Sequence, residues 1–403
     1  MNRTIAQLGV ALAVVFGWNA HLALAEETTE ERLQRVEAQV EELKHGLGTE
    51  SPEEGDEGYG GRVSFHGYGE LHYNNPRTGS TVPQSSAPSQ MDFHRMVWGL
   101  SYHYNDRISL HTEVDFEHAA TEIELEFAYL DFLVTPAFNV RAGNMLMPVG
   151  PLNEFHEPPL FYSVERPYVQ TYIIPMTWQE GGVGAFGHLP GGFKYRGYLV
   201  SGLNAENFTA GTGIRGGRGH VAEAPSEDLA AVGRIEYVGF PGLDIGASAY
   251  QGGANVTRNP ALGDAGVGIW EGDIRLRRAG FDLRGVFASI QIDGADQISA
   301  ETGSTIGEEM QGWYLEGAYD VLRLFAPQVG QSVVAFVRYE DFNTQSSVPT
   351  GFTANPVNDR QVRTTGLAYY PIPDIAVKGD WENWKDGTDD SGNRFNLGIA
   401  YQF

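Results

Sequence analysis

The closing segment of the chain alternates between apolar side chains and polar or small ones. Large apolar residues stand at every second position from Phe395 to Phe403. Successive side chains of a β-strand point to opposite faces, so one face of this segment suits lipid and the other suits water. A strand of a soluble sheet can show the same alternation. This segment alone therefore predicts a strand, but it does not decide between a membrane barrel and a soluble sheet.

Similar alternation recurs in about sixteen segments from Arg62 onward, and the connections between them alternate in length. Tight turns lie at 105–106, 135–136, 190–192, 240–242, 279–280 and 371–373, and long connections lie at 75–90, 146–178, 205–226, 253–264, 293–308, 343–360 and 385–392. Bacterial outer-membrane barrels have an even number of strands, short inner turns and long outer loops. We therefore predict an all-β fold, a 16-stranded antiparallel transmembrane β-barrel over residues 62–403. A short outer connection near 118–121 and a longer inner one near 322–331 are the exceptions to the pattern.

Residues 1–25 have the pattern of a secretory signal peptide. Arg3 precedes an apolar run from Leu8 to Phe16, and small residues lead up to Ala25, after which we expect cleavage. Beyond this segment, no stretch approaches the roughly 20 uninterrupted apolar residues that a membrane helix needs. An all-strand chain can cross hydrocarbon only as a closed barrel, because every backbone polar group there needs an internal partner.

Residues 26–47 are predicted to form a helix. Thr28 and Glu31 match a capping box, and an apolar 3-4-3-4 spacing of the coiled-coil type follows at Leu33, Val36, Val40, Leu43 and Leu47. We expect this coiled-coil segment to join identical subunits, with an ordinary amphipathic helix as the alternative. Residues 48–61 are rich in Gly, Pro, Ser and acid without periodicity, which indicates a flexible acidic linker.

The charge of the chain argues against anionic partners. The net charge is −25, and residues 58–403 contribute 40 acids and 23 bases, a net charge of −17. Such an acidic surface disfavours nucleic acid and anionic lipid headgroups. The absence of cysteine excludes disulfides and thiolate metal sites.

Charges can be sorted onto the channel wall by parity. If Leu125 and Phe127 on the fourth strand face lipid, the acidic positions beside them face the channel. The predicted pore-lining set comprises Glu113, Asp115, Glu117, Glu122, Glu124, Glu126, Arg141, Arg275, Arg338, Lys378 and Arg394. An acidic arc opposite a partly basic one would create a transverse field that favours hydrophilic solutes. The alternative is that these charges merely pair or are solvated.

Aromatic residues near strand ends, such as Trp381 and Trp384, are typical of interfacial girdles.

The longest connection, 146–178, is unusually apolar for a solvated loop. It contains six prolines and many aromatic residues. We expect this third outer loop to fold into the barrel and narrow it; packing against a neighbouring subunit is the alternative. The predicted constriction residues are Glu154, His156, Glu157, Glu165 and Arg166.

Several motifs resemble the phosphate-selective porin O/P family of trimeric outer-membrane channels. They are Phe-Ala-Tyr-Leu at 127–130, Gly-Asn-Met-Leu-Met-Pro-Val-Gly at 143–150, Glu-Arg at 165–166 and Thr-Gly-Leu-Ala-Tyr-Tyr-Pro at 365–371. The resemblance implies sixteen strands, a homotrimer and a constricting third loop. The family pattern places lysine in the stretch where this chain has Asn144 to Met147, and only four lysines occur in the whole chain. We therefore expect weak cation preference rather than phosphate selectivity.

The sequence thus predicts a porin in the outer membrane of a Gram-negative-type bacterium. It would be a passive channel for small hydrophilic solutes or ions, with no cofactor and no enzymatic activity. The alternatives are a barrel enzyme of the phospholipase or protease type and a receptor barrel with a plugged lumen. No G-x-S-x-G or H-E-x-x-H motif supports the enzyme. Histidines 66, 72, 103 and 111 lie near acids, which makes zinc or copper conceivable, but we favour simple solvation.

Overall fold

The computed structural model of the protein describes residues 62–78, 88–326 and 329–403. They form a closed barrel of sixteen antiparallel strands, which confirms the predicted fold class. The predicted signal peptide, coiled-coil helix and linker lie outside the described residues. Within the described residues, no helix has the length and apolar character needed to cross a membrane.

Each strand pairs with its neighbours in the chain, and the last strand pairs with the first. The strands are β1 Val63–Thr78, β2 Gln90–Asn105, β3 Ile108–Glu117, β4 Glu122–Thr135, β5 Phe138–Leu146, β6 Gln179–Leu189, β7 Phe193–Ser201, β8 Leu229–Phe240, β9 Leu243–Gly253, β10 Gly266–Arg278, β11 Phe281–Asp293, β12 Glu309–Asp320, β13 Ser332–Ser347, β14 Asp359–Ile372, β15 Ile375–Asp386 and β16 Ser391–Gln402. Among the described residues, one α-helix, α1, spans Ala295–Thr302, and one π-helical turn spans Val169–Ile173. Short 3₁₀ turns span Pro158–Leu160, Ala205–Asn207, Arg215–Gly217, Pro260–Leu262, Val321–Leu324 and Pro356–Asn358. Closure runs through β1 and β16, where Leu71 lies opposite Ile399.

The connections reproduce the predicted alternation of short and long. The turn between β10 and β11 shows why the short connections can be tight. Its two residues, Ala279 and Gly280, both have positive φ, at 52° and 88°. Two central residues with positive φ match the twist of a two-residue hairpin. The barrel therefore has a short-turn end and a long-loop end.

The closing strand, β16, shows the two faces clearly. Leu397 and Ile399 are 46% and 48% exposed on the outer surface, whereas Arg394 and Asn396 are buried inside. The apolar exterior continues on other strands with highly exposed residues such as Trp270. The exterior is thus apolar and the interior polar along this strand.

The outward assignment of Phe127 is wrong. The register of β3 and β4 shifts between Glu113 and Val114, so that Glu113 lies opposite Phe127 and Val114 opposite Leu125. Glu126 is the extra residue of this bulge, and the bulge turns Phe127 to the face that carries Glu113. Its ring stacks on that of Tyr129, with centroids 5.3 Å apart. Parity counted from a single sequence fails where a strand gains a residue.

Trp384 likewise does not belong to an exterior girdle. Trp381 is 38% exposed, but Trp384 is buried, packs against Tyr168 and donates to Glu382 Oε2 at 2.9 Å. The two tryptophans are three positions apart, so their side chains point to opposite faces of β15.

A hydrophobic cluster fills part of the barrel interior near the long-loop end. It consists of residues from the third long loop, from the inward face of the wall and from later loops. The third long loop is residues 147–178, the third connection at the long-loop end. The cluster includes Met147, Ile173, Trp178, Tyr198, Phe208, Ile214, Leu262, Ile298 and Phe342. Most apolar residues of this loop are thus buried against inward wall residues and the later loops.

Candidate functional site in the barrel interior

The third long loop, residues 147–178, contacts the wall on one side through His156. Its Nε2 lies 2.5 Å from Glu126 Oε1 on β4, and the Tyr68 hydroxyl on β1 lies 2.9 Å from the same nitrogen. Glu154 pairs with Arg196 on β7, with Oε2 and Nε 2.7 Å apart. These buried polar contacts fix the first half of the loop to β1, β4 and β7.

The other side of the wall holds the loop through Lys378 on β15. This ammonium donates to the carbonyls of Pro158 at 2.5 Å and Ser163 at 3.0 Å, and lies 3.9 Å from the centre of the Phe161 ring. Arg338 on β13 donates to Ser163 Oγ at 2.7 Å. Charged donors to buried carbonyls form strong hydrogen bonds, because burial removes competing water.

A third group of contacts holds the stretch from Glu165 to Gln170. Glu165 accepts a hydrogen bond from Asn74 on β1 at 2.8 Å and lies 3.6 Å from Arg394 on β16. The Val169 amide donates to Glu340 at 3.0 Å, and the Gln170 amide group donates to the Tyr314 hydroxyl at 3.1 Å. Together the three groups attach the loop to strands around the barrel, so the loop crosses the lumen instead of lining one wall.

The two remaining predicted loop residues have weaker connections to the wall. Arg166 donates to the His156 carbonyl within the loop at 3.3 Å. Glu157 has a buried Oε2 without a hydrogen-bond partner among the described residues. All five predicted loop residues thus lie inside the barrel or at its wall.

The predicted acidic wall is present on β3 and β4, but most of its carboxylates have partners. Arg95, which sequence reasoning missed, lies 3.4 Å from Asp115 and 2.8 Å from Glu117. Glu113 contacts His66 at 2.9 Å, and Glu124 contacts His220 of the fourth long loop, residues 202–228 between β7 and β8. Glu122 is exposed at the long-loop end. Pairing reduces the net field that these acids can set up across the interior.

Lys378 binds loop carbonyls, but the four arginines among the predicted basic positions are paired in the same way. Each contacts a carboxylate on its own or a neighbouring strand: Arg141 with Asp131 at 2.8 Å, Arg275 with Asp282 at 2.7 Å, Arg338 with Glu340 at 2.8 Å and Arg394 with Glu382 at 3.0 Å. Arg234, outside the predicted set, contacts Asp273 at 2.8 Å and Glu271 at 3.2 Å. Interior charge is therefore arranged as paired clusters, which is the alternative that the sequence leaves open.

Two arginines of the fourth long loop bind the C-terminal end of the third long loop. Sequence reasoning did not identify them. Arg218 donates to the carbonyls of Met176 at 2.6 Å and Thr177 at 2.8 Å, and Arg215 donates to Met176 at 3.0 Å. Burial, together with the neighbouring Arg218 charge, lowers the pKa of Arg215 to about 9. Burial lowers the pKa of Arg218 to about 10. Both guanidiniums stay protonated near neutral pH and act as donors to the loop.

One serine–histidine cluster bears on the enzyme alternative. His111 is hydrogen-bonded to Ser101 at 2.8 Å and to Ser109 at 2.9 Å, one serine on each ring nitrogen. Asp131 lies 4.0 Å from His111 Nε2 and is bound by Arg141 through two hydrogen bonds. A serine nucleophile needs a base that a third group orients. Here both ring nitrogens face serines and the carboxylate is engaged elsewhere, so the cluster does not form a triad.

The fold is shared with solved outer-membrane channels. OmpF of Salmonella typhi, in complex with daunomycin, is 12% identical, covers 85% of this chain and 97% of its own, and has a TM-score of 0.54. The outer membrane channel DcaP of Acinetobacter baumannii is 13% identical with the same coverage and a TM-score of 0.53. The anion-selective porin of Comamonas acidovorans is 12% identical, covers 85% and 99%, and has a TM-score of 0.51. The chain thus has the porin-type barrel fold.

One sequence relative is much more similar. An uncharacterized protein of Aquifex aeolicus strain VF5 is 34% identical over 361 residues, which covers 85% of this chain and 80% of the relative. The chain belongs to the same family as this protein. No protein-family model matches the sequence.

Proposed function

We propose that the chain is an outer-membrane porin, a passive diffusion channel for small hydrophilic solutes or ions. The observation that carries the proposal is a closed barrel with an apolar exterior and a polar interior. Such a wall satisfies every backbone group in hydrocarbon while leaving a wet interior. The shared fold with OmpF and DcaP supports this function.

The proposal assigns the third long loop as the constriction. Glu154, His156, Glu157, Glu165 and Arg166 narrow the path, and the predicted pore-lining charges on the wall surround it. Solutes pass beside the loop, where paired charges favour polar molecules over apolar ones. The acidic excess of residues 58–403 then gives weak cation preference.

The remaining parts of the chain take roles in export and assembly. Residues 1–25 are removed as a signal peptide, residues 26–47 form a coiled-coil helix, and residues 48–61 link it to the barrel. The coiled-coil spacing supports self-association, and the resemblance to trimeric porins favours a homotrimer. The protein then lies in the outer membrane with lipid around its barrel.

One observation favours a second candidate, a receptor barrel with a plugged lumen. The third loop is bound to strands on all sides of the interior, through Lys378, Glu126 and Glu340 among others. A loop held this firmly would serve as a plug if no path remains beside it.

Planar-bilayer recording separates the two candidates. Purified protein in a bilayer should give stepwise openings with a steady conductance, because a constricted porin keeps a permanent water path. Buffer and detergent without protein serve as the control. A folded protein that inserts into the bilayer and gives no conductance steps would overturn the porin proposal and leave the plugged barrel.

A further inference from the structure

Two histidines and an aspartate converge at the long-loop end of the barrel. Asp92 and His94 lie on β2, and His118 lies in the turn between β3 and β4. Asp92 Oδ2 is 3.1 Å from His94 Nδ1 and 2.7 Å from His118 Nδ1. One possible ligand atom from each of the three residues lies within 4.8 Å of the other two. This cluster, named the Asp92 cluster below, has no role in the channel proposed above.

Backbone geometry brings the three side chains together. The register of β1 and β2 shifts between Glu70 and Leu71, which leaves His94 as the unpaired residue of a bulge. The His118 amide donates to the His94 carbonyl at 3.1 Å, so the β3–β4 turn is fastened to that bulge. His118 itself has a φ of 49°, a left-handed conformation that surrounding contacts must hold in place.

The surroundings orient the His94 ring. His72 on β1, which lies opposite Asp92, stacks on His94 with ring centroids 4.6 Å apart and planes 13° apart. His72 is in turn hydrogen-bonded to Glu70 at 2.8 Å. Because Glu70 holds His72, the stack restricts the orientation of the His94 ring.

Charges of both signs lie near the Asp92 cluster. Glu70 and Glu165 lie 2.8 Å and 4.0 Å from the stacked His72, and each has a guanidinium beside it, Arg95 at 3.2 Å from Glu70 and Arg394 at 3.6 Å from Glu165. The negative charge among the ligands themselves comes from Asp92. His94 and Asp92 are partly exposed and His118 is exposed, so an ion can enter from the long-loop end.

We propose that the Asp92 cluster binds a divalent transition metal of the zinc type. The ligands are His94 Nδ1, His118 Nδ1 and Asp92 Oδ2, and water completes a tetrahedron. Zinc bonds of about 2.0–2.2 Å place tetrahedral ligand atoms roughly 3.3–3.6 Å apart. Asp92 Oδ2 now lies 3.1 Å and 2.7 Å from the two Nδ1 atoms, so the ligands must move apart by less than about 1 Å to admit the ion. Imidazole ligands suit zinc, copper or nickel and disfavour Ca²⁺ and Mg²⁺, which prefer oxygen.

Zinc titration of the folded, mature protein tests the site. The protein carries no polyhistidine tag, is treated with chelator, and is titrated with ZnCl₂ by calorimetry. We expect one site per chain. His94→Gln and His118→Gln should each lower the zinc affinity at least about tenfold, because losing a residue that only supports a metal ligand already lowers metal affinity about 10–100-fold. His188→Gln is the matched control because it changes a histidine at the short-turn end of β6.

A second measurement keeps the result independent of folding losses. Co²⁺ bound to wild-type protein should give the visible absorption of tetrahedral coordination, and Asp92→Asn should weaken it in protein that retains its barrel circular dichroism. Unchanged zinc affinity in both histidine variants, or no stoichiometric site in the wild type, overturns the proposal. Metal binding is read at equilibrium without an open pore, so its failure is distinguishable from a failure of the porin proposal.

Discussion

At the scale of single residues, the contact between Glu126 and His156 allows the most direct experimental test. Both side chains are buried, with the imidazole held between the carboxylate and the Tyr68 hydroxyl. Burial alone would lower the pKa of His156, but the Glu126 carboxylate outweighs it and raises that pKa above its ordinary value. Below about pH 6.5, the ordinary histidine pKa, the loop therefore carries a protonated imidazole at its attachment to β4.

The sign of the pH dependence follows. A raised pKa means that the contribution of His156 to loop attachment is fully present below about 6.5, the ordinary histidine pKa. It is lost as pH rises through the raised pKa. We expect limited proteolysis within residues 150–176 to speed up as pH increases over that range. A cleavage rate that falls with rising pH, after correction for protease activity, would contradict the assignment.

Replacing Glu126 by Gln should remove that pH dependence. The variant leaves the imidazole without its charge partner, which should weaken attachment of the loop by about 1–3 kcal/mol. Thermal unfolding and proteolysis at a pH near 6 measure the effect. Glu122→Gln is the control, because it changes an exposed glutamate on the same strand. Equal effects of the two substitutions would rule out a specific role for the buried pair.

At the scale of elements, the third long loop depends on Lys378 for its contact with β15. Substituting Met keeps much of the side-chain volume but leaves the carbonyls of Pro158 and Ser163 without their shared donor. We expect a loss of about 2–3 kcal/mol in loop attachment, seen as faster proteolysis and noisier or larger conductance steps. Lys385→Met, on the exposed end of the same strand, should change neither. Identical traces for wild type and Lys378→Met would show that other contacts suffice to hold the loop.

Elements were more predictable from sequence than contacts were. Two-residue periodicity located the strands because lipid and water select different side chains on the two faces. The same rule fails at Phe127, where a bulge adds a residue, but it correctly places Trp384 on the face opposite to that of Trp381. The pairing of Arg95 with Glu117 depends on how strands align, and a single sequence does not encode strand register locally.

At the scale of the whole molecule, the net charge and the pairing of charges lead to different expectations for ion selectivity. Residues 58–403 carry a net charge of −17, which raises the local concentration of cations at the mouth. Inside, however, salt bridges such as that of Arg394 with Glu382 cancel much of the field. The excess acid therefore acts chiefly through carboxylates near the long-loop end, such as Glu122, which is exposed, and Glu124, whose ionic partner is a histidine. We expect the selectivity to be weak.

The reversal potential under a salt gradient measures this balance. We expect it to lie slightly toward the cation equilibrium potential, and the double variant Glu122→Gln with Glu124→Gln to move it toward zero, because both carboxylates lie near the long-loop end of the predicted pore wall. High salt should produce the same shift by screening. Asp106→Asn, in the tight turn between β2 and β3, removes one charge at the opposite end and is the control for each single glutamate substitution. A wild-type potential on the anion side would refute the argument from net charge and favour phosphate-type selectivity, with Arg215 and Arg218 as the first cationic candidates to examine.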